Sequence, residues 1–260
     1  MIKIDKPEKV PDSLNGTKTI EKRNEIIKNE CFPNKKNINS FSNNLETYGK
    51  YYKTDDIKKN LKETYSGKCC YCEQKIEQFP VEHYRPKSIY YWLAYSWDNL
   101  LFCCPKCNEY KSNKFEVERK VSISDFDISN IHKLRDLYDD FEKPTIINPE
   151  KENITNKLSF TKDGNIFSTD ERVSKTIKSC KIDRDDLNER RSELYKDFEG
   201  KITSRLFEIK NGNIDSKIKL DGFIEDFKKD SENTKNDFLA FRRYILKYFL
   251  REIFDILTIK

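Results

Sequence analysis

Histidine, tryptophan and methionine are scarce in this chain, numbering 2, 2 and 1 among 260 residues. Glycine (7) and proline (8) are few as well, which excludes collagen-like and Pro/Gly-rich low-complexity chains. No stretch approaches the ~18 uninterrupted apolar residues of a membrane span. The opening Met1-Ile2-Lys3-Ile4-Asp5-Lys6-Pro7 has no apolar signal-peptide core. These absences read as a soluble, cytoplasmic chain. Charge of one sign is lacking too: 50 Lys plus Arg against 45 Asp plus Glu leave only +5. That surplus permits a nucleic-acid partner without arguing for one, because electrostatic binding needs clustered cations.

Aromatic residues, in contrast, reach 13 % in a chain that is 37 % charged and 36 % apolar. Disordered chains are poor in aromatics, so this one is expected to build a core, within one large or two small domains. Six of the eight cysteines sit in two clusters, Cys69/Cys70/Cys72 and Cys103/Cys104/Cys107, leaving Cys31 and Cys180 alone. In a reducing compartment such clusters are metal ligands rather than disulfides.

Four regions are predicted: an N-terminal helical or irregular segment (1–60), a punctuated core (61–120), an irregular α/β extension (121–186) and a helical C-terminal region (187–260). A short helix is predicted over Ile20–Ile27, broken at Cys31-Phe32-Pro33-Asn34. Thr54-Asp55-Asp56 supplies N-cap chemistry ahead of Ile57, Leu61 and Tyr65, which share a helical face up to Ser66-Gly67. Short strands are read at Val81–Tyr84 and Leu100–Cys103, and a helix from Cys107-Asn108 onward. Leu158–Phe160 and Gly164–Phe167 suggest a small hairpin. Leu187 to about Ile209 and Asn236 to Leu257 carry apolar residues at three- and four-residue steps and read as helices.

Chemistry concentrates in residues 67–115. Cys69-x-x-Cys72 and Cys104-x-x-Cys107 have the spacing of a tetrahedral zinc site, since two intervening residues let a tight turn bring both sulfurs to one ion. Between them lies Glu82-His83, with one of the two histidines. A neutral imidazole accepts a proton from water near pH 7, and a carboxylate next to it on a strand faces a different partner, such as a metal. Asn99 has the chemistry to fix a loop through side-chain to backbone bonds. Asn108 could cap a helix or offer its amide oxygen to Mg²⁺, and Asn113 competes for that place. Lys111 lies one turn beyond Asn108, positioned to meet a phosphate.

Taken together, Gly67-Lys68-Cys69-x-Tyr71-Cys72-Glu73, Val81-Glu82-His83-x-Arg85-Pro86-Lys87, Trp97-x-Asn99-Leu100 and Cys104-x-x-Cys107-Asn108-x-x-Lys111 resemble an HNH nuclease. More narrowly they resemble the PtuB-like HNH nucleases of Septu and retron-associated antiphage systems, which work beside an ABC/AAA-type ATPase. The likeness continues through Glu142-x-Pro144 and Leu187-Asn188-x-Arg190. It implies an α+β, mostly helical chain with a zinc-stapled ββα-metal core embedded in helices. It also implies metal-dependent hydrolysis of phosphodiester bonds, in DNA by default or in RNA such as tRNA. His83 would be the general base, Glu82 and Asn108 the ligands of a catalytic Mg²⁺ or Mn²⁺, and Asn99 the restraint on the loop that orients His83. Cys69, Cys72, Cys104 and Cys107 would hold structural Zn²⁺, with Arg85 and Lys111 contacting phosphate. The family often has Asp and His where this chain has Glu82 and Asn108; both changes keep an oxygen donor, which favours Mg²⁺ or Mn²⁺. The rival reading is a zinc-ribbon scaffold that binds nucleic acid or protein without catalysis. It keeps the four cysteines but has no use for Glu82, His83, Asn99 and Asn108 together. His132, Cys31 and Cys180 are assigned to packing or surface. The C-terminal helices are the expected docking surface for the ATPase.

Overall fold

The computed structural model describes residues 1–31 and 44–258. In chain order the helices are α1 (Thr17–Cys31), α2 (Leu45–Gly49), α3 (Asp55–Thr64), α4 (Pro105–Lys111), α5 (Arg135–Glu142), α6 (Glu171–Ser179), α7 (Asp185–Lys210), α8 (Asp215–Glu232), α9 (Leu239–Tyr244) and α10 (Leu250–Thr258). A π-helical stretch, Ile245–Phe249, joins α9 to α10. Two small antiparallel pairs complete the list: β1 (Val81–His83) with β2 (Leu100–Phe102), and β3 (Ser159–Phe160) with β4 (Ile166–Phe167). The chain is thus α+β and mostly helical. No helix among the described residues is long and apolar enough to cross a membrane.

The core is a strand, a long loop, a strand and a helix. β1 and β2 pair in the register Val81↔Phe102, Glu82↔Leu101 and His83↔Leu100. Residues 84–99 cross between them, and α4 follows β2 after two residues. α3 packs behind this unit with Ile57 and Leu61 buried on one face, and Tyr65 stacks on Phe102 at 6.1 Å. It stops where Ser66 and Gly67 both adopt positive φ (51° and 69°), a pair of left-handed residues that turns the chain straight into Cys69. Thr54 stands at the N-cap as expected, but its hydroxyl bonds Asp56 and Ser13 rather than a helix N–H.

Long-range ties close the core from both sides. Near the start of the chain, Ile4 N donates to Pro149 O at 2.8 Å. Lys6 Nζ donates to Trp97 O (2.6 Å) and Leu100 O (2.5 Å), pairs with Glu150 (3.1 Å) and sits 3.9 Å from the centre of the Trp97 ring. From the C-terminal region, Lys68 Nζ reaches Asn236 O (3.0 Å), Asp237 accepts from Lys75 N (3.0 Å) and Glu73 accepts from Ala240 N (2.9 Å). The β3–β4 hairpin docks on α7 through Gly164 (φ 78°), whose backbone runs so close that a Cβ there would lie 2.1 Å from Asn188 O. Arg191 Nε donates to Gly164 O at 2.6 Å. α7 and α8 form a long hairpin around Phe198, Phe223 and Phe227.

Several expectations need correction. α1 runs well past Ile20–Ile27, to Cys31, while the predicted break at Phe32-Pro33-Asn34 lies outside the described residues. α4 starts at Pro105, because Cys104 rather than Cys107 is its N-cap. The α/β extension 121–186 holds two helices, α5 and α6, that were not placed individually, and α8, inside the helical region 187–260, was not placed individually either. The C-terminal helix is interrupted by the π-helical turn at 245–249, so its apolar face shifts part-way along.

Candidate active site and metal centre

The first knuckle is a miniature hairpin. Cys69 N bonds Gln74 O (2.9 Å), Glu73 N bonds Cys69 O (3.0 Å) and Ile76 N bonds Gly67 O (2.9 Å), with Glu73 at positive φ. The second knuckle is the start of α4: Cys104 Sγ accepts from Cys107 N at 3.3 Å and Pro105 occupies the first helical position, where no N–H is needed. The sulfurs of Cys69, Cys72, Cys104 and Cys107 all lie within 4.8 Å of one another, and all four residues are buried. Cys72 and Cys104 Sγ are 3.9 Å apart. A tetrahedral ion with metal–sulfur bonds of about 2.3 Å needs sulfurs about 3.8 Å apart, so the donor set fits a metal. Cys69, Cys70 and Cys103 make a second group of only three. Arg184, just ahead of α7, places Nη1 3.3 Å from Cys107 Sγ and Nη2 4.0 Å from both Cys72 and Cys104. Burial opposes its charge, but the negative sulfurs, Cys107 first, raise its pKa overall. This cation offsets the charge of a thiolate cluster.

β1 sends its two key side chains to different partners. Glu82 Oε1 accepts from Lys111 Nζ at 2.6 Å, and Glu82 Oε2 lies 2.6 Å from Asn108 Nδ2, both residues being one turn apart on α4. Burial pushes the Glu82 carboxyl up, against the pull of Lys111. A half-turn of the Asn108 amide puts its oxygen where the nitrogen lies, so Glu82 and Asn108 together offer two oxygen donors to one cation. Asn113 is elsewhere, accepting from Ser88 Oγ at 3.0 Å.

His83, only 3 % exposed, is held by Ala94 O, 3.0 Å from Nε2. A carbonyl can only accept, so the ring proton belongs on Nε2 and Nδ1 keeps a lone pair. Nδ1 is buried and has no hydrogen-bond partner. Burial first, then Lys87, Lys111 and Lys53, hold the imidazole well below its usual range. It is therefore neutral at pH 7. Tyr52 meets the ring edge-on with centroids 4.6 Å apart.

Asn99 closes the loop between the strands. Its Oδ1 accepts from Arg85 N (2.7 Å), and its Nδ2 donates to Arg85 O (3.1 Å) and Leu93 O (3.2 Å), next to the carbonyl that holds His83. The two residues expected at phosphate are placed differently. Arg85 is 2 % exposed and spends its guanidinium on Asp139 (2.6 Å) and Glu142 (2.7 Å) of α5. Lys111 is fully buried between Glu82 and His83 O (2.9 Å). Desolvated and already neutralised, neither has a face left for a ligand. His132 has ordinary structural bonds, accepting from Trp97 N at 3.1 Å and reaching Asn15 Oδ1 at 3.2 Å.

Residues 69–114 match the family model described as HNH endonuclease. The chain is 30 % identical over 217 residues to Septu protein PtuB of Bacillus mycoides (strain KBAB4), covering 76 % of this chain and 69 % of that protein. The chain belongs to the PtuB family of HNH endonucleases. A PtuB of Bacillus thuringiensis is 39 % identical over 70 residues, covering 25 % of this chain and 26 % of that one. Septu protein PtuA of Bacillus mycoides (strain KBAB4) is 25 % identical over 167 residues, covering 58 % of this chain and 22 % of its own length. No solved structure gives a significant match.

The sequence alone did not point to Arg184 beside the sulfurs, nor to Lys53 and Lys87, whose charges help lower the His83 pKa. Arg184 lies 77 residues from Cys107, its nearest sulfur partner, and no local pattern announces it. Lys87 was visible as the last letter of Glu82-His83-Tyr84-Arg85-Pro86-Lys87, overshadowed by Arg85. Lys53 gave no signal before Tyr52 was placed against His83.

Proposed function

We propose that this nuclease cuts nucleic-acid backbones as the effector of an antiphage system of the Septu type, alongside an ATPase partner in the cytoplasm. The observation that carries the chemistry is His83: a neutral imidazole whose Nε2 proton is committed to Ala94, leaving Nδ1 free to take a proton. His83 deprotonates the attacking water at Nδ1. Asn99 holds the ring's carbonyl anchor in place through Leu93. Glu82 and Asn108 would hold a divalent cation, Mg²⁺ or Mn²⁺, which would supply charge neutralisation at the phosphate. Two protein oxygen donors would suit Mg²⁺, an ion usually bound through only one or two protein carboxylates. Lys111 fixes the Glu82 carboxylate rather than touching substrate. Cys69, Cys72, Cys104 and Cys107 hold Zn²⁺, which staples the short strands and α4 into one unit. The ATPase docks on the helical region 187–260, and residues 61–120 form the catalytic core.

The test is cleavage of plasmid DNA and of total tRNA by wild type and His83→Ala, with Mg²⁺ or EDTA, alone and with the ATPase. A general base typically contributes about 10²–10⁴-fold. The expected result is Mg²⁺-dependent cleavage that falls by that factor in a His83→Ala protein with unchanged zinc content. Undiminished cleavage by His83→Ala would sink the general-base role of His83, and silence of the wild type even with the ATPase would sink the nuclease assignment and leave a zinc scaffold.

A further inference from the structure

Arg85 and Lys111 are sealed inside the core, yet a phosphodiester backbone reaching His83 needs cations with free hydrogens. Two lysines meet that need. Lys53 Nζ lies 5.6 Å and Lys87 Nζ 6.0 Å from the centre of the same ring, Tyr52. Tyr52 is the ring that meets His83 at 4.6 Å. Lys53, Tyr52, His83 and Lys87 thus form one continuous group at the end of β1.

Among the described residues, neither ammonium has an ion-pair or hydrogen-bond partner, unlike Arg85 and Lys111. Lys53 is exposed, and Lys87 is half-buried. The backbone on which Lys87 rides is rigid, since Pro86 O accepts from both Ile89 N (2.9 Å) and Tyr90 N (2.8 Å). Lys53 ends the turn Lys50–Tyr52, directly before α3.

We propose that Lys53 and Lys87, both within 6.0 Å of the Tyr52 ring centre, are the clamp that seats the substrate's phosphodiester backbone over His83. Like charges gathered without a counter-ion cost free energy in the free protein. Burial, followed by the charges of Lys111 and Lys53, lowers the Lys87 pKa despite the attraction of Glu82. A polyanion supplies the missing counter-charge and displaces condensed counterions, which makes binding steeply salt-dependent. The clamp reads charge rather than base edges, so it is indifferent to sequence. The inference rests on the nuclease reading above.

The experiment measures binding of a fluorescent 20-base-pair duplex and of a fluorescent tRNA by anisotropy across roughly 50–200 mM salt. His83→Ala serves as the uncut reference, and Lys53→Gln, Lys87→Gln, Lys87→Arg and Lys219→Gln are added to it singly. Each lost phosphate contact lowers the slope of log K against log[salt] by about 0.9 on duplex DNA and about 0.7 on single strands. The expected result is that drop for Lys53→Gln and Lys87→Gln, recovery in Lys87→Arg, and no change for the exposed Lys219→Gln. An unchanged slope in both glutamine variants overturns the clamp and leaves the nuclease assignment standing. A reference protein that binds neither nucleic acid with any salt dependence overturns both. Lys53 is exposed, so Lys53→Gln decides the matter even where Lys87→Gln loses its thermal transition.

Discussion

The two ends of α7 meet the rest of the molecule in opposite ways. At its start, Arg184 lies against the cysteine sulfurs, Asn188 reaches Asn165 at 3.0 Å and Arg191 grips the Gly164 carbonyl. Charge and hydrogen bonds hold that end. Towards the other end the helix relies on rings, with Phe198 4.4 Å from Phe227 across α8. Beyond those rings apolar side chains face water: Phe207 is 68 %, Ile214 81 % and Ile218 74 % exposed. The core around residues 67–115 adds to its buried rings and aliphatic side chains a group of four sulfurs that could hold a metal. The hairpin α7–α8 is held by ordinary burial.

That contrast can be broken most severely at the cluster. Cys107→Ser removes one of four sulfur donors, and structural zinc sites supply about 10–16 kcal/mol of apparent binding free energy. The expected outcome is loss of bound metal and of the main thermal transition, read by metal analysis and calorimetry. Wild-type stability should also rise with free Zn²⁺ concentration by mass action, and that of the variant should not. Next comes Phe198→Ala, which opens a cavity between α7 and α8 and is expected to cost about 3–5 kcal/mol. Urea unfolding at two zinc concentrations should return the same cost at both; a metal-dependent cost would show that hairpin and core are one energetic unit. Smaller is Arg184→Gln, which leaves the sulfurs in place and removes their neighbouring cation. Removing a group that contacts the metal-binding sulfurs typically weakens metal binding by about 10–100-fold, measurable by competition with a chromophoric chelator. Smallest is Ile218→Ser, expected to stay within about 0.5 kcal/mol of wild type because the side chain is already in water.

What could be read without coordinates was whatever depends on short spacing. The paired Cys-x-x-Cys motifs led to one compact group of four sulfurs, and Glu82, Asn108 and Lys111 share a neighbourhood because three residues on α4 make one turn. The fate of Arg85 could not be read, because Asp139 and Glu142 stand 54 and 57 residues away. A buried guanidinium and one meeting phosphate look alike in sequence. α8 was covered only by the helical region 187–260: Leu220, Phe223, Ile224 and Phe227 do share one face, but the exposed Ile214 and Ile218 blur that pattern. The four-residue patches at the strands are short enough that only their flanking cysteines and Asn99 gave them meaning.

The contacts of Glu73 and Lys68 also set an order of events during synthesis. The first knuckle is completed by Ala240 and Asn236, the latter 168 residues downstream of Lys68. At roughly 5–20 residues per second, the ribosome delivers that segment many seconds after the metal-binding residues have emerged. A nascent chain therefore carries a knuckle that lacks its final brace while β1 is already made. The first knuckle is closed late, when the segment 236–240 has been made.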